Sequence, residues 1–310
     1  MPAAHNAPSS PATPRRSLIK RLIATVIIIA SLAFLVYYWR SHPAITEQLK
    51  SISPLIIIGL VALYLCMTAI LTCLYAVTLR MCGKRIPVAE NTLLTMYSSV
   101  INFFGPLQSG PGFRALYLKK KHAISIKSYT AATLLYYALF ALCNSVFLLF
   151  GIIPLRFAPL VGLALVAIAW LVWRGLFRIP LLARYKTRID GRLFALLALI
   201  TLGQALLVVL IYFIELHTLG VQASLSQTIV YSGAANLALF VSLTPGALGF
   251  RESFLYLSQK LHHIPNDTII AANVLDRAVY VAFLLVLLAV IVIFHAGKRL
   301  DSAAIKRAGK

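Results

Sequence analysis

An all-α, polytopic membrane fold is predicted by three observations. Of the 310 residues 60% are apolar and 12% charged, with a mean hydropathy of +0.87, whereas soluble domains carry roughly 45–50% apolar and about 25% charged residues. The apolar residues gather into continuous runs near the ~20 residues that a bilayer-crossing helix needs. Two further apolar segments are interrupted midway by Pro and Gly. The expectation is about six full transmembrane helices plus two re-entrant half-helix hairpins.

Residues 1–14 carry Pro2, Pro8, Pro11 and Pro14 among small polar residues and have nothing to bury. They read as a disordered cytoplasmic tail. Arg15, Arg16, Lys20 and Arg21 precede an apolar run from Leu22 to Trp39. The run exceeds a signal-peptide core of about 7–15 residues and closes on Tyr37, Tyr38 and Trp39, so it reads as a retained first span with its N-terminus inside. Further runs lie at 54–79, 128–150, 157–176, 193–216 and 268–294. Residues 15–297 thus form one transmembrane domain, followed by a basic cytoplasmic tail at 298–310.

The broken segments are 91–118 and 226–261. The first contains Phe104-Gly105-Pro106 and Gly110-Pro111-Gly112, the second Thr244-Pro245-Gly246 and Gly249. Pro interrupts the helical ladder and Gly favours other backbone shapes, so each segment is one kinked span or a hairpin returning to its starting side. Charge decides between them. If both return, 22 of the 29 Lys and Arg residues fall on the cytoplasmic side and only Arg40, Lys50, Arg156 and Lys260 outside. If both cross, the loop from Arg174 to Arg192 becomes external, against the positive-inside bias. Both chain ends are therefore placed in the cytoplasm. The same bias accounts for the net charge of +21 without a nucleic-acid partner.

Gly112-Phe113-Arg114-Ala115-Leu116-Tyr117-Leu118 is echoed by Gly249-Phe250-Arg251 through Tyr256-Leu257. The two stretches enter from opposite faces in the charge-derived topology, as inverted repeats do. Inverted repeats with discontinuous helices mark many transporters that bind near the midplane.

Arg114, Arg251, Arg277, Glu252 and Asp276 fall within the apolar depth, while Glu215 reads as a span-edge residue. Ionisable groups at such depth face a protein interior or a wet cavity and find partners. Arg251 and Arg277 with Glu252 and Asp276 form a neutral quartet, which either locks the helices or answers to a ligand. Arg114 is then left without an acid. It either snorkels to the headgroups or, with the backbone of Gly110 and Gly112 at a half-helix start, takes a phosphate. Gly249 offers a similar turn before Arg251. Asn102, Asn236, Asn273 and Tyr280 are candidates to line a polar path, together with Gln108, Asn144, Gln204 and Ser232.

No phosphate-binding G-x-x-x-x-G-K-[ST] and no H-E-x-x-H occurs. The four Cys lack C-x-x-C spacing. No metal, cofactor or disulfide is expected, and the residues after Phe294 are too few for a soluble catalytic domain.

Pro245-Gly246-Ala247-Leu248-Gly249-Phe250-Arg251-Glu252 resembles the P-G-G-x-G-x-x-E signature of the flippase-like transmembrane domain of lysylphosphatidylglycerol synthases and their stand-alone bacterial relatives. Asn102 to Lys121, with Pro106, Gly110 and Arg114, is similar to that family's earlier P-x-x-x-G-[DE]-x-x-R-x-x-x-L segment. Asp276-Arg277 falls where the family has a late Arg. Pro111 stands in place of an acid, Ala247 in place of a Gly, and Tyr136-Tyr137 where the first repeat would carry Glu-Arg. The resemblance implies a multi-pass plasma-membrane protein that moves a phospholipid or other anionic lipid between leaflets, without the synthases' aminoacyl-transfer domain. Arg114, Arg251, Arg277, Gly110, Gly112 and Gly249 would bind the headgroup, and Glu252 and Asp276 would pair with the arginines when it is absent. The alternative is an intramembrane enzyme, or an accessory subunit partnering a lipid-synthesis enzyme, with Glu252 or Asp276 as its base.

Overall fold

The computed structural model describes residues 52–104, 109–153, 155–157, 190–241 and 249–308, with Ala247 and isolated positions between 160 and 175; side chains are described as far as Phe294. Every regular element among them is helical. In chain order these are α1 (Pro54–Met81), α2 (Val88–Phe104), α3 (Gly110–His122), α4 (Ile126–Leu149), a 3-10 turn (Leu155–Phe157), α5 (Gly191–Thr218), α6 (Leu225–Val241), α7 (Phe250–Leu257), α8 (Gln259–His262) and α9 (Asn266–Ala308).

Four of these helices are long and apolar enough to cross a membrane: α1, α4, α5 and the part of α9 from Asn266 to Phe294. They coincide with the runs expected at 54–79, 128–150, 193–216 and 268–294. The chain is a helical membrane protein. The expected tail at 1–14, the first span at 22–39 and nearly all of the run at 157–176 lie outside the described residues, as do Gly105, Pro106, Gln108 and Thr244 to Gly246. Within 298–310, the backbone continues α9 as a helix to Ala308.

Local chemistry sets the helix ends. The Ser53 hydroxyl accepts from the Leu55 N–H at 3.3 Å and Pro54 opens α1, where its missing N–H costs nothing. Asp190 caps α5 by accepting from the Arg192 N–H at 3.3 Å. α7 is preceded by Gly249, whose φ of +81° suits a residue without Cβ.

α3 returns antiparallel along α2. Gly110 meets Ser98 and Asn102, Arg114 meets Thr95 and Asn91, and Tyr117 and His122 meet Glu90 at the start of α2. The backbones approach closely only because residue 110 is Gly: a Cβ there would stand 2.5 Å from the Ser98 carbonyl oxygen. α6 packs along α4 with the same economy, since a Cβ on Gly233 would lie 2.7 Å from the Asn144 carbonyl oxygen.

The packing has a two-part order. α1 lies against α5; α1 carries α2, on which α3 packs, and α5 carries α6, on which α7 packs; α4 packs on α6, as α9 packs on α2. Large aliphatic side chains such as Leu55, Leu199 and Ile293 point outward and are mostly exposed, whereas Asn144, Asn273, Arg114 and Glu215 are fully buried. Such a surface suits lipid, in which polar groups turn inward.

Candidate functional site

A cavity of about 290 Å³ opens between the helices, at the lower end of small-ligand sites, roughly 300–1,000 Å³. α1 contributes Tyr64, α4 Tyr136 and Tyr137, α5 Gln204 and Tyr212, α7 Arg251, and α9 Asp276, Arg277 and Tyr280. Its wall is aromatic on one part and charged on another.

The charged part, Arg251, Asp276 and Arg277, belongs to a crossed pair of dipeptides completed by Glu252. Arg251 Nη1 lies 2.5 Å from Asp276 Oδ2, and Arg277 Nη2 lies 2.5 Å from Glu252 Oε1. Arg-Glu on α7 therefore meets Asp-Arg on α9, each cation opposite an anion. All four residues are buried, and a charge so placed is held only when paired and hydrogen-bonded. Glu252 also accepts from the Gly249 N–H through Oε2 at 2.9 Å, so one carboxylate starts α7 and neutralises Arg277. Asp276 is engaged on both oxygens, with Oδ1 accepting from the Tyr64 hydroxyl of α1. The Arg251 guanidinium lies 5.2 Å from the Tyr212 ring centroid.

Arg114 occupies a separate place. It is fully buried, so it does not snorkel. Its guanidinium donates to Asn91 Oδ1 and, at 3.3 Å, to the Thr95 hydroxyl, and it stacks 4.0 Å over the Tyr75 ring. No ion pair joins it to an acid among the described residues. A cation–π contact and two neutral acceptors stabilise the charge without neutralising it.

Among the other site residues read from sequence, Asn102, Asn236 and Tyr280 line the cavity and Gln204 joins them, its amide in contact with the Tyr136 hydroxyl at 3.1 Å. Asn273 does not line it: its amide donates to the Ile269 carbonyl of its own helix at 2.8 Å. Asn144 and Ser232 are buried behind the wall, where Asn144 accepts from Asn236 at 2.8 Å. Gly112 has open space beside its Cα, and Gly249 is the turn before α7. Arg114, Gly110 and Gly112 are not part of the cavity wall.

One deep residue escapes the sequence reading. Glu215, expected at a span edge, is fully buried on α5 and lies within hydrogen-bonding reach of Asp276. Three acids and three arginines therefore lie at depth among the described residues, but Glu215 stands beside Asp276 and not beside Arg114. The signal that could have found it is the position of Tyr212, one turn earlier on the same helix face.

Outside the spans, Glu90 at the start of α2 gathers the end of α3. Tyr117 donates to it at 2.8 Å, and Lys121 and His122 approach it at 2.9 and 2.7 Å. Partial burial pushes its carboxyl upward, but the hydrogen bonds from His122, Lys121 and Tyr117 outweigh that and bring its pKa down to about 2.

A family model described as the lysylphosphatidylglycerol synthase TM region matches residues 22–289. No curated protein matches the chain.

Proposed function

The chain belongs to the lysylphosphatidylglycerol synthase TM-region family, and we propose that it is a lipid translocator of the plasma membrane, moving a phospholipid or other anionic lipid between leaflets without catalysing its chemical change. The observation that carries this reading is the cavity itself: two buried guanidinium–carboxylate pairs beside tyrosines, set among membrane-crossing helices. Arg251 and Arg277 are fork-shaped donors matched to phosphate, while the aromatic wall tolerates the apolar part of a lipid. With no ligand, Glu252 and Asp276 offset the charge of the arginines. A headgroup phosphate would replace them.

In this reading the α2–α3 and α6–α7 segments are re-entrant hairpins of an inverted repeat, and rocking of one half against the other alternates access. Repeated contacts support it. Arg114 lies over Tyr75 of α1 as Arg251 lies over Tyr212 of α5. The Tyr136–Gln204 contact joins α4 to α5 as Asp276–Tyr64 joins α9 to α1. Arg114 then serves the first half by fixing α3 on α2, and the open side of Gly112 is its remaining approach for an anion. Both termini lie in the cytoplasm, and a lipid-synthesis enzyme would be the natural source of the cargo.

The test is reconstitution in vesicles holding a headgroup-labelled anionic phospholipid. The expected result is transbilayer movement above protein-free vesicles, reduced at least tenfold by R251Q or R277Q while the protein still inserts. Movement unchanged in both variants would remove the site. Labelling of a cysteine at Ser125 from the cytoplasmic face only would support the re-entrant topology, and labelling from the outer face would overturn it.

A further inference from the structure

Glu215 is fully buried, and neither of its oxygens receives a hydrogen bond from any donor among the described residues. The group facing it within hydrogen-bonding reach is another carboxyl, Asp276 of α9. Asp276 is already supplied with donors, the Tyr64 hydroxyl on Oδ1 and Arg251 on Oδ2. Two carboxylates in contact in a water-poor interior do not both ionise. Asp276 is stabilised as the anion by Arg251 and Tyr64, and Glu215 has nothing to stabilise a negative charge, so the proton between them sits on Glu215 and is donated to Asp276.

We propose that Glu215 and Asp276 form a proton-binding pair inside the spans: Glu215 holds one proton in this conformation, and Asp276 takes up a second when an anionic group displaces it from Arg251. The second half rests on the translocator reading. The balance is simple. The Arg251–Asp276 ion pair breaks, Arg251 pairs with the incoming anion, and a proton from cavity water forms an O–H bond on the freed Asp276. One negative charge enters with one proton, so the net charge within the bilayer does not change, which matters where an uncompensated charge is expensive. Asp276 lines the cavity and can exchange with it, while Glu215 stands behind as the acid that hydrogen-bonds to it.

The remaining groups around Glu215 fit this role. Arg251 of α7, Tyr64 of α1, Tyr231 of α6 and Tyr212 of its own helix surround the pair. α4, also packed on α5, brings its Tyr136 to Gln204, about three turns away at 3.6 residues per turn. His217 points back to the Phe213 carbonyl at 2.8 Å. Arg251 is thus the one cation facing Glu215 among these groups, and it is committed to Asp276.

Two measurements on the full chain test the proposal. Infrared spectra of the purified protein should show the carbonyl stretch of a protonated carboxyl that E215Q removes and E215D shifts; a spectrum in which neither variant changes that band overturns the pair. Gln resembles the neutral acid in shape, so E215Q should fold, and E215D retains the test where it does not. In vesicles with headgroup-labelled anionic phospholipid, an imposed proton gradient should change the wild-type rate about tenfold, in the direction protons flow, and should leave D276N, which has no carboxylate to take up the proton, unaffected. Equal wild-type rates with and without the gradient overturn the coupling. An absence of any lipid movement, with the infrared band present, overturns the translocator reading and leaves the proton site standing.

Discussion

Arg277 of α9 holds Glu252 of α7 at 2.5 Å, and each residue is sequence neighbour to a member of the second pair, Arg251–Asp276, at the same distance. Breaking one buried pair leaves a charge without its counter-ion, which costs about 3–5 kcal/mol. R277Q and E252Q are each expected to destabilise by that amount. The double variant should lose less than their sum, with a coupling energy of about 1–3 kcal/mol. Unfolding in detergent checks this, and strictly additive losses would mean that the two side chains do not interact.

Gly110 and Gly112 are two residues apart on α3 and have opposite surroundings. A Cβ at 110 would meet the Ser98 carbonyl oxygen at 2.5 Å and Asn102 Cβ at 3.0 Å, whereas at 112 nothing lies within 4 Å. G110A must push α3 away from α2, at about 1–3 kcal/mol for an overpacked contact. G112A should be neutral, or stabilising by about 0.4–1 kcal/mol through a less flexible unfolded chain. Thermal midpoints of the two variants, measured side by side, should separate; equal midpoints would show that α3 does not press on α2.

The four described spans were legible because ~20-residue apolar runs have few alternatives in a bilayer, and Arg251, Glu252, Asp276 and Arg277 stood out as charges among apolar neighbours. What periodicity does not convey is which face of a helix is turned inward. Glu215 sits close to the end of its apolar run and two residues before His217, so depth along the sequence placed it at an edge, although the face it shares with Tyr212 is buried. Asn273 shows the reverse error. It lies on the same helix as Asp276 and Arg277, yet its amide closes on its own backbone, four residues back, and never reaches the cavity. Arg114 was legible as a deep cation, but its partners Asn91, Thr95 and Tyr75 are neutral, and a count of charges cannot find them.

Glu90 ties α2 to α3 through a cluster that depends on its negative charge. Its pKa in the folded protein, about 2, is below the ordinary value of 4.5. A depressed carboxyl contributes stability that is fully present above the unfolded value and is lost as pH falls through the folded one. The cluster is partly wet, so the contribution of Glu90 is set at about 1 kcal/mol and not at the full shift. E90Q should therefore lower the thermal midpoint at pH 7, and the gap from wild type should close between about pH 4.5 and pH 2. A gap that stays constant over that window would assign the effect to packing.

His262, in the short α8, is fully buried against Tyr231, with ring centroids 5.3 Å apart. Its Nδ1 accepts from the Ile264 N–H at 3.0 Å, which leaves Nε2–H to donate to the Leu255 carbonyl at 3.1 Å. Both nitrogens are satisfied only in the neutral ring, because a second proton would turn the Nδ1 acceptor into a donor facing another donor. Burial lowers its pKa below the ordinary 6.5, more than the Leu255 hydrogen bond restores, and the neighbouring His263 lowers it further. The unfolded chain then binds more protons than the folded one between the two values, so stability is full above pH 6.5 and falls as pH drops through that window. Acidification should loosen the turn from α7 to α9 first, and hydrogen exchange at Ile264 should report it. In H262Q, which cannot take up the proton, exchange at that amide should not accelerate between pH 7 and pH 5; an acceleration equal to that of wild type would place the sensitive group elsewhere.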